Sequence, residues 1–106
     1  VKLLHSELDF KLIRRPDGRV GYFDTKTFAR SFFDYSQLEP EQVERAGAYN
    51  YWGVPAGFVV WFRKLDQIIL YSGKEIERMG PGSRFRPTDG TVLGTFSKFD
   101  LKFALT

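Results

Sequence analysis

A chain of 106 residues with 42% hydrophobic and 27% charged side chains has the composition of one ordinary folded domain, not of a disordered segment. It holds no cysteine and one histidine, His5, which excludes disulfides, thiolate or multi-histidine metal sites and a cysteine nucleophile, and leaves carboxylates, lysines, amides and hydroxyls for chemistry. The net charge of +3 arises in the second half: residues 1–53 balance eight basic against eight acidic side chains and residues 54–106 carry eight against five, a bias that permits a polyanionic partner without showing one.

Val1–Ile13 mixes apolar and polar residues in the manner of a strand. Arg15-Pro16-Asp17-Gly18-Arg19 is a turn signal, since proline presets φ and glycine accepts a positive one. Val20–Phe28 alternates again, so residues 7–28 are expected to form a β-hairpin. Ala29–Leu38 reads as loop. Glu39-Pro40-Glu41 marks a helix start, because proline suits the first helical position and acids suit the positive end of the dipole. The helix should run to about Trp52, where Gly53-Val54-Pro55 stops it. Gly57–Lys64 is nearly all apolar, as a strand buried on both faces should be. Asp66-Gln67 turns the chain into a strand over Ile68–Ser72. Lys74–Met79 reads as a short helix, Gly80–Thr95 as a Gly/Pro-rich loop and Phe96–Leu105 as a last strand or terminal element.

The order β-β-α-β-β predicts an α+β fold, a mixed sheet with at least one helix packed on it, in a single domain spanning residues 1–106. No apolar run nears the ~18 residues of a membrane helix and no signal peptide precedes the first strand, so a cytoplasmic protein that needs no membrane is expected. Val1 already lies inside an apolar segment, from which a missing natural N-terminal region is expected.

The stretch richest in chemistry is Asp24-Thr25-Lys26. Residues i and i+2 of a strand point to one face, so Asp24 and Lys26 project together, held by the strand formers Tyr22, Phe23 and Phe28. Such a pair can hold a metal while its ammonium positions water, and it can equally be a plain surface charge pair. Asp9 bears on that choice. If the hairpin pairing centres between Pro16 and Asp17, Asp9 lies opposite Asp24, and two facing carboxylates are costly unless a cation sits between them. A register longer by one residue sets Asp9 against Thr25, and a bulge is then needed to bring the acids together. Glu7 shares Asp9's face, as a third oxygen ligand or as the solvated end of the strand.

The arrangement Asp9 … Asp24-Thr25-Lys26, followed by a helix and an apolar strand, resembles the PD-(D/E)XK nuclease superfamily and within it the RecU-type Holliday-junction resolvases. Glu7-Leu8-Asp9-Phe10 is similar to that family's strand bearing the first acid, and Gly21-Tyr22-Phe23-Asp24-Thr25-Lys26 to its second active-site strand. Ser31-Phe32 and Gln37 resemble its Ser-Phe…Gln loop, Glu41-Gln42-Val43-Glu44 the start of its helix, and Gly57-Phe58-Val59-Val60 with Asp66-Gln67 its next strand pair. The likeness covers about residues 6–80. Asp24 stands where the family usually has glutamate, the spacing from Asp9 is slightly longer, and the family's N-terminal region has no counterpart before Val1.

The resemblance implies a restriction-endonuclease-like core and a homodimeric endonuclease acting on branched or four-way-junction DNA, leaving a nick with a 5′-phosphate. Asp9 and Asp24, with the backbone carbonyl of Thr25, would ligate Mg2+, for which Mn2+ would substitute. Lys26 would orient the attacking water or stabilise the pentavalent phosphate. Gln42 would hold water or a ligand through its amide, the alternative being an exposed helix glutamine. Arg14, Arg15 and Arg19 at the hairpin tip near the acids, with Arg30, Arg84 and Arg86, are the candidate DNA contacts. For the Arg84-Phe85-Arg86 run, the alternative is a solvated loop. Tyr49, Tyr51 and Trp52 are expected to pack in the core in preference to stacking bases, Trp61 and Phe62 are expected in the core, and His5 is expected to be structural. The competing reading is a non-catalytic α+β module that binds nucleic acid or protein through its basic and aromatic surface.

Overall fold

The computed structural model describes residues 10–14 and 18–100. In chain order the elements are β1 (Phe10–Arg14), β2 (Arg19–Phe28), β3 (Phe33–Asp34), α1 (Pro40–Tyr51), β4 (Ala56–Phe62), β5 (Gln67–Ser72), α2 (Gly73–Met79), β6 (Arg84–Phe85), β7 (Thr91–Thr95) and β8 (Lys98–Phe99). The main sheet has the order β1-β2-β4-β5-β7-β8, and β3 pairs separately with β6. The fold is therefore α+β with a mixed sheet, as expected.

The one parallel pair among the described residues is β2 with β4, from Tyr22 beside Ala56 to Phe28 beside Phe62. Parallel neighbours need a crossover longer than a hairpin turn, and α1 supplies it. Pro40 occupies its first turn beside Glu41, and the helix ends at Trp52. Gly53 follows at φ +83°, a conformation glycine takes without a Cβ penalty, and the chain turns into Val54-Pro55. The second helix opens with a reciprocal cap: Glu75 N donates to Ser72 Oγ and Ser72 N donates to Glu75 Oε1.

The two faces of the sheet differ. On the helix face, Val43 and Ala46 of α1 and Ile76 of α2 pack with Phe58, Val60, Phe62, Ile69 and Tyr71. Phe33 sits at the centre of this cluster, with ring centroids 5.1 Å from Phe28, 5.2 Å from Tyr71 and 4.9 Å from Phe85. The Tyr71 hydroxyl donates to the Arg86 carbonyl at 2.6 Å, and burial pushes its phenol well above the ordinary value of 10.0. On the other face Phe23, Val59, Ile68 and Leu93 form a smaller cluster with Trp61 and Leu70. No helix among the described residues covers it. Phe96 and Phe99 flank a cavity of about 220 Å³ there and remain exposed.

Several expectations need correction. The segment read as a loop over Ala29–Leu38 contains β3 and a short 3-10 turn at Tyr35–Gln37. The segment read as a loop over Gly80–Thr95 contains β6 and β7, and β7 joins the main sheet beside β5. Phe85 is fully buried, so Arg84-Phe85-Arg86 is no plain solvated loop. Tyr49 packs as expected, stacked on Tyr22 at 4.5 Å, but Tyr51 and Trp52 are 82% and 77% exposed. Phe62 is core, whereas Trp61 is only partly buried and donates its indole N–H to Asp66.

Candidate functional site

The β1–β2 ladder runs from Arg14 opposite Arg19 to Phe10 opposite Phe23. Among the described pairs this is the first of the two alternative registers, the one centred between residues 16 and 17. Asp9, Glu7, His5 and Arg15 lie outside the described residues. Of Arg14 only the strand position is described.

Along β2, Tyr22 and Phe28 pack against the helix-side cluster and Phe23 belongs to the opposite one. Period-two alternation therefore turns Asp24 and Lys26 toward the helices. Asp24 is 1% exposed, one of two buried polar or charged side chains among the described residues. Lys26 Nζ lies 3.0 Å from Asp24 Oδ2, and its side chain is 21% exposed. A carboxylate sealed this far from water is costly to ionise unless a cation accompanies it, and the ammonium supplies that compensation from the solvent side.

The other buried polar side chain is Gln42, 6% exposed, in the first turn of α1. The Tyr22–Tyr49 stack fixes the last turns of α1 against the start of the parallel segment of β2. From Tyr49 back to Gln42 is seven residues, about 10 Å along a helix. From Tyr22 forward to Asp24 and Lys26 is about 7–13 Å along a strand. α1 packs on the side of the sheet toward which Asp24 and Lys26 turn, and Gln42 is buried in it. Its Oε1 is buried and makes no hydrogen bond. The reading of Gln42 as an exposed helix residue is thus overturned; its burial depends on the rotation of α1, which the Val43–Ala46–Gly47 stripe sets.

The basic residues fall into two groups. Arg19 opens β2, five residues or about 16 Å from Asp24 along the strand, at the end away from Lys26. Arg19 is thus not adjacent to Asp24. Arg30, Arg84 and Arg86 gather beyond the other end of β2. The Arg30 and Arg84 guanidinium carbons lie 4.4 and 3.9 Å from the centroid of the Phe32 ring. Arg30 donates to Gln37 Oε1, and Arg84 donates through Nε to Asp34 Oδ1 at 2.9 Å. That charge-assisted bond holds the Asp34 carboxyl below its ordinary value of 3.8. Sequence reasoning missed Asp34 as the partner of Arg84, because the β3–β6 pairing that joins them spans fifty residues.

Among the described residues, buried side-chain oxygens are offered by the Asp24 carboxylate, which pairs with Lys26, and by Gln42 Oε1, donor types suited to a hard cation. No group of three or more His, Cys, Asp or Glu side chains placed to hold a metal occurs among the described residues. No helix among them is long and apolar enough to cross a membrane. Compared with known proteins, the chain matches no family model, and no curated protein matches it.

Proposed function

We propose that this chain is a magnesium-dependent DNA endonuclease with a restriction-endonuclease-like core, similar to the Holliday-junction resolvases. It would work in the cytoplasm as a homodimer and cut branched DNA to leave 5′-phosphate nicks. The observation that carries the reading is the Asp24–Lys26 pair: a carboxylate buried to 1% exposure with a partly exposed lysine ammonium 3.0 Å away, on a strand followed by a helix that carries a buried, unbonded amide oxygen at Gln42.

Roles follow from position. Asp24 and the Thr25 carbonyl would hold the cation, and Gln42 Oε1 offers a further oxygen on a ligand or a bound water. Asp9, which lies outside the described residues, is the acid that the resemblance pairs with Asp24, and a cation between two such acids would offset their repulsion. The ion, when bound, supplies a more acidic water and neutralises charge on the phosphate. Lys26 reaches the solvent side of Asp24 and there would orient the incoming water or donate to a phosphate oxygen. Arg30, Arg84 and Arg86 would track the DNA backbone beyond β2.

The test is incubation with a synthetic four-way junction in magnesium and in EDTA, with duplex and single-strand controls, using wild type and Lys26→Ala. Nicking in magnesium that is lost in EDTA and in Lys26→Ala supports the reading; nicking by Lys26→Ala at the wild-type rate contradicts it. A second reading, a non-catalytic binding module, draws on the same 3.0 Å contact, because an ion pair that satisfies both partners needs no metal. It predicts a protein that binds nucleic acid or protein and does not cleave DNA in magnesium.

A further inference from the structure

Beyond the end of β2 lies a cavity of about 430 Å³ lined by Ser31, Phe32, Leu65, Gln67, Arg86 and Thr88, among others. We infer that it receives an unpaired base of the DNA strand, with the flanking phosphates on Arg84 and Arg86; the choice of DNA as the polyanion rests on the nuclease reading.

Three features select this ligand. The first is the stack. Two guanidinium groups lie over one phenyl ring, and base faces join such aromatic and guanidinium surfaces readily. The second is rigidity. Arg84 is held by Asp34 and by the Phe33–Phe85 and Asp34–Arg84 strand pairs, Arg30 by Gln37, and the Arg86 backbone by Tyr71 and Asp89. Little ordering is left to occur on binding. The third is the wall. Leu65 is 45% exposed at the cavity, an apolar surface for a base edge, while Ser31, Gln67 and Thr88 offer donors and acceptors for its polar rim. Arg63 and Lys64 directly precede Leu65 and add positive charge, and the carboxylates of Asp34 and Asp89 already accept hydrogen bonds from Arg84 and from the Arg86 backbone. Duplex DNA keeps its bases stacked inside and offers this site phosphates alone, so the cavity favours a strand that has come unpaired, as at a branch point.

The experiment is fluorescence anisotropy in EDTA, so that binding is read without cutting, on wild type, Phe32→Ala, Phe32→Leu and Arg86→Ala. The probes are a single strand of about twelve nucleotides, within the ~4–16 that such sites engage, its duplex and the same strand lacking bases. Wild type should bind the single strand more tightly than either the duplex or the abasic strand. Phe32→Ala should weaken single-strand binding about five- to a hundredfold, the range for a lost base–aromatic contact, and Phe32→Leu, which keeps an apolar side chain in the fold, should weaken it as well. Arg86→Ala should lower the salt slope by about one. Equal affinity for single strand and abasic strand, or unchanged binding by both Phe32 variants, overturns the inference. Its fate is separable from the nuclease reading: Phe32-dependent binding by a protein that never cuts keeps this site and removes the catalytic one.

Discussion

A side-chain oxygen sealed from water without a hydrogen bond costs about 1–3 kcal/mol, and Gln42 Oε1 is such an atom. Stability alone would favour an apolar residue there. Gln42→Leu should therefore leave the melting temperature unchanged or raise it, while junction cleavage falls about 10–100-fold, the usual effect of losing a group that positions a metal's ligands. A Gln42→Leu protein that cuts normally would remove this residue from the site. Asp34 gives a second check at this scale. Its folded pKa is depressed, chiefly by its hydrogen bond to Arg84, so the stability it adds is present above the ordinary carboxylate value of 3.8 and is lost as pH falls from there through the folded pKa. Thermal melts of wild type and Asp34→Asn should differ at neutral pH and converge in that acid window; a constant gap would contradict the assignment. The Asp24–Lys26 pair was legible from the sequence because strand period is two. The burial of Gln42 was not, since a single glutamine in a helix does not report how the helix is turned.

Among the elements, β4 and β5 form the centre of the sheet, and their approach is close at Gly57. A Cβ on Gly57 would run into the β5 backbone at Tyr71 and Ser72. Gly57→Ala should destabilise by about 1–3 kcal/mol, as overpacking of a tight contact does, measurable as a lower denaturation midpoint with an unchanged m-value. An unaffected midpoint would mean the strands separate freely there. The long elements were readable because each carries its own signal: Pro40 and Gly53 bracket α1, and continuous apolar character marks β4. The short ones were not. Phe33–Asp34 and Arg84–Phe85 are strands only because each pairs with the other. Thr91–Thr95 has a glycine and small polar residues, and it is a strand only because β5 accepts it across a bulge. The exposure of Trp52 was within reach of helical spacing, since it falls away from the buried stripe of Gln42, Val43, Ala46 and Gly47, whereas Tyr51 follows Gly47 by four residues and its exposure was not.

At the scale of the molecule, the formal +3 charge understates the local one. Arg30, Arg84 and Arg86 lie beyond one end of β2, and further back along the strand Lys26 pairs with the buried Asp24. Helices cover one face of the sheet, which places the carboxylate, the lysine and the buried amide in a layer between sheet and helix. The absence of cysteine and the lone histidine, which first looked limiting, leave oxygen donors and one well-placed lysine as the available chemistry. The central claim is that this layer cuts DNA. It is tested most directly by quantifying nicks in a synthetic four-way junction with purified wild type and Lys26→Ala, in magnesium and in EDTA. The account predicts 5′-phosphate nicks from wild type in magnesium, none in EDTA, and a loss of about 100-fold or more in Lys26→Ala. No cleavage by wild type in magnesium or manganese, or cleavage by Lys26→Ala at the wild-type rate, would contradict it.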